Sequence, residues 1–251
     1  MIDSHAHLDA LDDPDLAVAR AREAGVTAIV TVGTGIDSCR RALALAERHE
    51  GVFAALGIDP HQASSPEATR VEELRELLAH PKAVAVGETG LDDHHHHATP
   101  ADQRRLFEEH LALAEELGKP VVIHCREAAD ETAATLARFD GTVILHCFSE
   151  PGLLEPALAH GWYASFAGNA SYPRNEELRL AAARIDPSRL LAETDSPYLA
   201  PQGLRGSPNE PANVLRTVAV LADARGEDAA RLAGRLAANA ATAFALPDRS
   251  P

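Results

Sequence analysis

The chain has 251 residues, 45% hydrophobic but only 4% aromatic, so Ala, Leu and Val must fill any sizeable core. A formal net charge of −15 and a pI near 5.2 oppose loose electrostatic binding to nucleic acid or to anionic membranes. No apolar run reaches the length of a membrane span, the first residues read as a strand rather than a leader, and three sparse cysteines predict no disulfides, so a soluble cytoplasmic protein is expected.

Met1 to Leu8 opens the chain as a strand carrying His5 and His7. Side chains at i and i+2 leave a strand on one face, so both imidazoles point the same way and could begin a transition-metal site. Taken alone, such a pair is better explained as surface histidines near a terminus. Asp13-Pro14-Asp15 starts a helix that continues from Leu16 to Glu23 and stops at Gly25. Thr27 to Gly33 is a β-branched run and hence a buried strand. A helix from Asp37 to Glu50 leads to a third strand, Val52 to Gly57, and a helix begun by Pro66 runs to Ala79. The fourth strand is Ala83 to Glu88, and Thr99-Pro100 opens a long helix to Leu117.

The alternation then repeats. Strands are expected at Pro120 to His124, Thr142 to His146, Trp162 to Phe166 and Leu190 to Asp195. Helices lie between them at Ala128 to Arg138, Pro151 to His160 and Glu176 to Arg184, and two more come after the last strand at Glu210 to Arg225 and Asp228 to Phe244. Eight strand–helix units with short loops specify an α/β fold: a single (β/α)8 TIM barrel spanning residues 1–251. No glycine-rich phosphate loop follows the first strand, which disfavours a nucleotide-binding sheet.

A barrel of this kind carries its active site at the C-terminal ends of the strands. This chain places His5, His7, Glu88, His124, His146 and Asp195 there, with Asp59-Pro60-His61 after the third strand. Six potential ligands at the ends of five strands are hard to explain by chance, and they exceed what one tetrahedral ion needs. Two divalent ions bridged by Glu88 would use them all, with Asp195 also accepting a proton from an activated water. Arg126, two residues after His124, shares its side of the strand and could reach a phosphate, or else forms an ion pair at the rim. Cys125 and Cys147 follow ligand histidines and should turn away toward the helices as small hydrophobes. The run His94 to His97 reads as a solvated loop, with an accessory metal site or a lid as its functional alternative.

These segments resemble the TatD family of metal-dependent deoxyribonucleases among the amidohydrolase-like barrels. The resemblance rests on Asp3-Ser4-His5-Ala6-His7, Gly57-Ile58-Asp59-Pro60-His61, Gly87 to Asp92, Val122 to Arg126, His146 to Ser149, Glu193 to Tyr198 and Arg205 to Pro211. It implies two divalent ions (Mn²⁺, Mg²⁺ or Zn²⁺) and hydrolysis of DNA phosphodiesters, as a 3′–5′ exonuclease on ends or single strands in DNA processing or repair. It further implies that His61 approaches the substrate phosphate or an ion, and that Arg205 and the Asn209-Glu210-Pro211 turn shape the groove. Asp59 stands where the family has His, and Arg205-Gly206-Ser207 where it has Arg-Gly-Lys. A hydrolase of amides, esters or small phosphoesters is the alternative chemistry, and a silent metal-binding protein a third reading. The chain's acidity predicts weak binding to long duplex DNA and a shallow salt dependence.

Overall fold

The computed structural model describes residues 1–247. Among these, eight parallel strands are hydrogen-bonded in sequence order: β1 (Ile2–Ala6), β2 (Ala28–Thr34), β3 (Val52–Gly57), β4 (Ala83–Asp92), β5 (Val121–Arg126), β6 (Val143–Leu145), β7 (Tyr163–Phe166) and β8 (Leu190–Ala192). Beyond β8 the chain returns to β1. The Asp195 N–H donates to the His5 carbonyl at 2.9 Å, and the His7 N–H donates to the Ser196 carbonyl at 2.7 Å. That closes the barrel the sequence predicts.

Nine α-helices of the described residues surround it: α1 (Pro14–Glu23), α2 (Ile36–Arg48), α3 (Val71–Leu78), α4 (Pro100–Leu117), α5 (Ala129–Leu136), α6 (Leu154–His160), α7 (Glu176–Arg184), α8 (Val214–Arg225) and α9 (Ala229–Ala243). Their starts follow the sequence signals. Asp13 accepts from the Leu16 N–H ahead of Pro14, and Thr99 accepts from the Asp102 N–H ahead of Pro100. The helix expected from Pro66 to Ala79 is instead a 3₁₀ turn, Pro66–Thr69, followed by α3. Arg70 sits at the joint and binds Glu67 on one side and Glu73 on the other. Likewise Pro211–Asn213 forms a 3₁₀ turn before α8.

The core has two parts. Outward-facing strand residues such as Leu56, Val86 and Ile123 pack on the helices. Inward-facing residues, among them Ile2, Val30, Phe53, Val122 and Leu191, fill the barrel with Ala240, Ala243 and Phe244 of α9 and its C-cap against them. Ile2 and Ala28 stand at strand starts, so this apolar plug occupies the N-terminal end and leaves the other end to polar groups. No described helix is long and apolar enough to cross a membrane.

Two irregularities aim the polar end. On β1, Asp3 pairs with Ile29 but Ala6 with Thr31, so three steps meet two. On β4, Val86 pairs with Val121 but Thr89 with Ile123, again three steps against two. Each extra residue is a bulge that re-aims the side chains beyond it. Simple alternation from the inward Ile2 would turn Ala6 inward and His5 outward; instead Ala6 joins the helix-side core and His5 and His7 come together within the barrel mouth. At β4, Gly87 and Gly90 have φ of +131° and +139°, and a Cβ there would lie 2.4 Å from the Val122 carbonyl oxygen and 2.0 Å from that of His124. Only glycine fits where β4 presses this closely on β5.

α4 is tied to the end of β3 by His110. Its Nε2 accepts the Ile58 N–H at 3.1 Å while its Nδ1 faces the Leu106 carbonyl at 2.8 Å, an arrangement that requires the neutral ring. Burial pushes His110 down to about 4. The unfolded chain therefore binds a proton that the fold refuses, and stability falls as pH drops from about 6.5 to 4, by roughly 3 kcal/mol in the limit. Urea midpoints across this window should fall more steeply for the native chain than for His110→Gln, whose amide can accept the same bond without titrating. Parallel curves would contradict this.

Candidate metal centre

Glu88 sits at the β4 bulge, 7% exposed. Its Oε2 lies 3.1 Å from His5 Nε2, 3.3 Å from His146 Nε2 and 4.0 Å from His7 Nε2, yet it accepts no hydrogen bond. A buried carboxylate oxygen without a hydrogen bond is costly unless something else meets its lone pairs. Around it the donors continue. His5 Nε2 and His7 Nε2 are 3.2 Å apart, Asp195 Oδ1 is 3.7 and 3.4 Å from them, and His124 Nδ1 is 3.4 Å from His146 Nε2. Ligand atoms bound at about 2.0–2.1 Å around a tetrahedral ion are about 3.3 Å from one another, so these spacings fit a cation between the groups. The donors form three overlapping sets: His5, His7 and Glu88; Glu88, His124 and His146; and His5, His146 and Asp195, so Glu88 is shared by the first two.

All six residues singled out from strand ends are thus brought together. Their supports differ from the sequence reading. Glu88 lies within β4, which runs on to Asp92, while β6 and β8 end early and leave His146 and Asp195 in the loops above them. Burial alone would raise the Glu88 carboxyl, but His146, His5 and His7 outweigh it and hold the group well below its usual range. Burial would depress His146 and His7, but Glu88 and Glu193 lift the first and Asp195 and Glu88 the second, each to about 9. The pocket concentrates negative charge and draws compensating positive charge onto His7 and His146, while burial and the neighbouring His146 push His5 down. A bound cation would supply that charge in place of the protons.

Two further carboxylates, not assigned from the sequence, stand behind the histidines. Asp92 Oδ2 is 2.9 Å from His124 Nε2, which turns His124 Nδ1 toward His146 and Glu88. Asp92 itself is fixed by Gln103 of α4, whose amide accepts from its N–H at 2.7 Å and donates to its carbonyl at 3.0 Å. Glu193, fully buried, accepts the Cys147 N–H at 2.7 Å and lies 3.5 Å from His146 Nδ1. Such partners select the tautomer and aim of a ligating ring. The signal was present: Asp92 closes the Gly87 to Asp92 segment, and Glu193 precedes Asp195 by two residues. Below them Asp3 accepts both the N–H and the hydroxyl of Thr194, and this pins the return of the chain after β8 to β1.

The substrate-facing residues are less uniform. Arg126 borders a cleft of about 1020 Å³ above the donors, and among the described residues it forms no ion pair. Arg174, from the loop after β7, joins it on the cleft wall and was missed from sequence. Arg205 does not reach that wall; its guanidinium lies 4.7 Å from the ring of Tyr172, which does. Asn209 is buried and donates to the Thr194 and Tyr198 carbonyls, so its turn braces the loop after β8 rather than offering a free contact. His61 borders the cleft but points its Nε2 at Asp92 Oδ2, 3.0 Å away. Asp59 caps the Pro60–Gln62 turn by accepting the Gln62 N–H, and burial with the charge of Glu88 pushes it up to about 7. Cys125 touches the helix-side core but also borders the cleft, and Cys147 does not turn away either: β6 ends before it, its φ is +44°, and it lines the cleft. Tyr198 is 57% exposed, with its ring edge-on to His7 at 5.7 Å.

The sequence model of the TatD related DNase family matches residues 2–245. The chain belongs to this family. An uncharacterized metal-dependent hydrolase TatD from Mycobacterium tuberculosis is 38% identical across 98% of each chain. The 3′–5′ ssDNA/RNA exonuclease TatD of Escherichia coli K12 is 36% identical over 93% of this chain and 94% of its own. The crystal structure of YJJV, a TatD homologue from the same organism, superposes with a TM-score of 0.93 at 34% identity, covering 98% of both chains.

If Glu88 serves both donor sets, Glu88→Gln should weaken Mn²⁺ binding at both, at least tenfold each by titration calorimetry (an expectation of about that order for a lost ligand). Asp92→Asn should cost roughly 10- to 100-fold at the His124 side and leave the His5–His7 side unchanged. An unchanged isotherm for Glu88→Gln would contradict the shared role.

Proposed function

We propose that this chain is a divalent-metal-dependent exonuclease that removes nucleotides from the 3′ ends of single-stranded DNA, with RNA as a second substrate. The observation that carries this reading is the buried Glu88 oxygen, without a hydrogen bond and shared between two sets of imidazoles, beneath a cleft bordered by Arg126 and Arg174. His5, His7, Asp195 and Glu88 would hold one ion, and Glu88, His124 and His146 the other. When bound, such a pair supplies Lewis-acid activation of a water and of the phosphoryl oxygens.

The protein's own groups do the rest. Asp195 Oδ1 stands 3.4 Å from His7 Nε2 at the cleft floor; burial would raise it, but His7 and His5 keep it ionised, so it can take the proton of the attacking water. Asp92 keeps His124 turned toward Glu88, and the Glu193 carboxylate beside His146 favours its charged ring. Arg126 and Arg174 can hold phosphate oxygens from the cleft wall. The exposed Tyr198 ring offers a face on which an unpaired base can stack. A net charge of −15 opposes broad electrostatic binding of duplex DNA, which favours a frayed end or single strand over long duplex. The two rim arginines favour phosphate over a neutral amide substrate.

The test is a 5′-labelled single-stranded oligonucleotide with Mn²⁺. The reading predicts a ladder that shortens progressively from the 3′ end, and Asp195→Ala should lower its rate by roughly 10²- to 10⁴-fold. Immediate release of the labelled 5′ nucleotide would overturn the polarity, and undiminished cleavage by Asp195→Ala would overturn the assignment. Arg126→Ala should raise KM about tenfold while kcat changes little, because it removes binding rather than chemistry.

A further inference from the structure

The run His94 to His97 follows β4 and has no part in the centre built on Glu88. The Asp92 carboxylate organises it. Asp92 Oδ1 accepts the His94 N–H at 3.0 Å and the His95 N–H at 2.7 Å, so this oxygen is occupied and the carboxylate's orientation is set. Oδ2 is then approached by three imidazole nitrogens: His124 Nε2 at 2.9 Å, His61 Nε2 at 3.0 Å and His95 Nδ1 at 3.0 Å. A carboxylate oxygen has two lone-pair directions. Three rings therefore compete for two directions, so they cannot all be satisfied by hydrogen bonds to this oxygen at once.

We propose that His61 Nε2, Asp92 Oδ2 and His95 Nδ1 form a further divalent-cation site of the zinc class at the cleft mouth, separate from the centre built on Glu88. The three donor atoms lie within 4.8 Å of one another, and an ion between them would use one lone pair for both rings at once. Two imidazoles and one carboxylate are a donor set that suits Zn²⁺ and leave one position open to water or an anionic oxygen. The elements that hold them are fixed independently. His61 comes from the Asp59-capped turn after β3, Asp92 is bracketed by Gln103, and His95 is placed by its own N–H on Asp92. The His97 ring closes over them, 5.2 Å from that of His61 and 5.9 Å from that of His95. His61 and His95 are 34% and 40% exposed in their side chains, which gives the ion a path from solvent. His94 is engaged elsewhere, with its Nδ1 on Glu127 at 2.7 Å.

The experiment loads the full chain with Zn²⁺, removes the excess by gel filtration and counts ions per chain by atomic emission. His95→Asn should retain one ion fewer than the native chain, and His96→Asn the same number as the native chain. The difference between chains carries the result, so it is independent of how many ions the Glu88 centre holds. Equal counts for the native chain and His95→Asn would overturn the proposal. So would an equal loss in His96→Asn, which would mark loose chelation by the histidine run. Metal-free thermal midpoints, with His95→Gln as a second substitution, separate a lost ligand from a folding effect.

Discussion

The barrel mouth depends on a buried carboxylate that has ion-pair neighbours but an oxygen with no hydrogen bond. Glu88 is enclosed by His5, His7 and His146, and its charge is offset there by the positive charge that His7 and His146 carry. Everything that shapes the mouth converges on this point. The β1 bulge brings His5 and His7 inward, the β4 bulge brings Glu88 to meet them, and Gly87 and Gly90 let β4 approach β5 closely enough for His124 to face the same space. The apolar plug under α9 keeps the opposite end of the barrel filled.

Behind the donors stands an outer ring of carboxylates. Asp92 orients His124, Glu193 lies beside His146, and Asp3 holds Thr194 next to Asp195. Each lies in a strand, or directly after one, and is held by partners from elsewhere in the chain. Rigid elements therefore set the geometry, which a site that binds cations tightly needs. The acidity of the chain is consistent with this design. A protein of charge −15 can approach a polyanion where bound cations and a few arginines reverse the local sign.

Much of this was legible in the sequence because strand ends are periodic features. Eight apolar runs separated by helical segments specified the barrel, and the polar residue closing each run fell at its rim. Glu88, His124 and His146 could be read in this way. The bulges could not. They arise from pairing between neighbouring strands, and simple alternation would have sent His5 to the helix layer. Cys147 was misplaced for a related reason: β6 ends at Leu145, so the two-residue period no longer governs it. Asp92 and Glu193 were visible as residues but not as supports, since their roles depend on which ring nitrogen lies nearby. Arg205 shows the limit of a motif: its loop position was right for the rim, and the Tyr172 ring captured its guanidinium.

The central claim is that one carboxylate joins two cation sites. Electron paramagnetic resonance of the His95→Asn chain with two equivalents of Mn²⁺ addresses it directly, since that substitution removes the proposed outlying site. Two ions held by the donors that share Glu88 would be close enough to couple their spins, so the account predicts a multiline exchange-coupled signal. A plain six-line spectrum of isolated Mn²⁺ at full occupancy would contradict it.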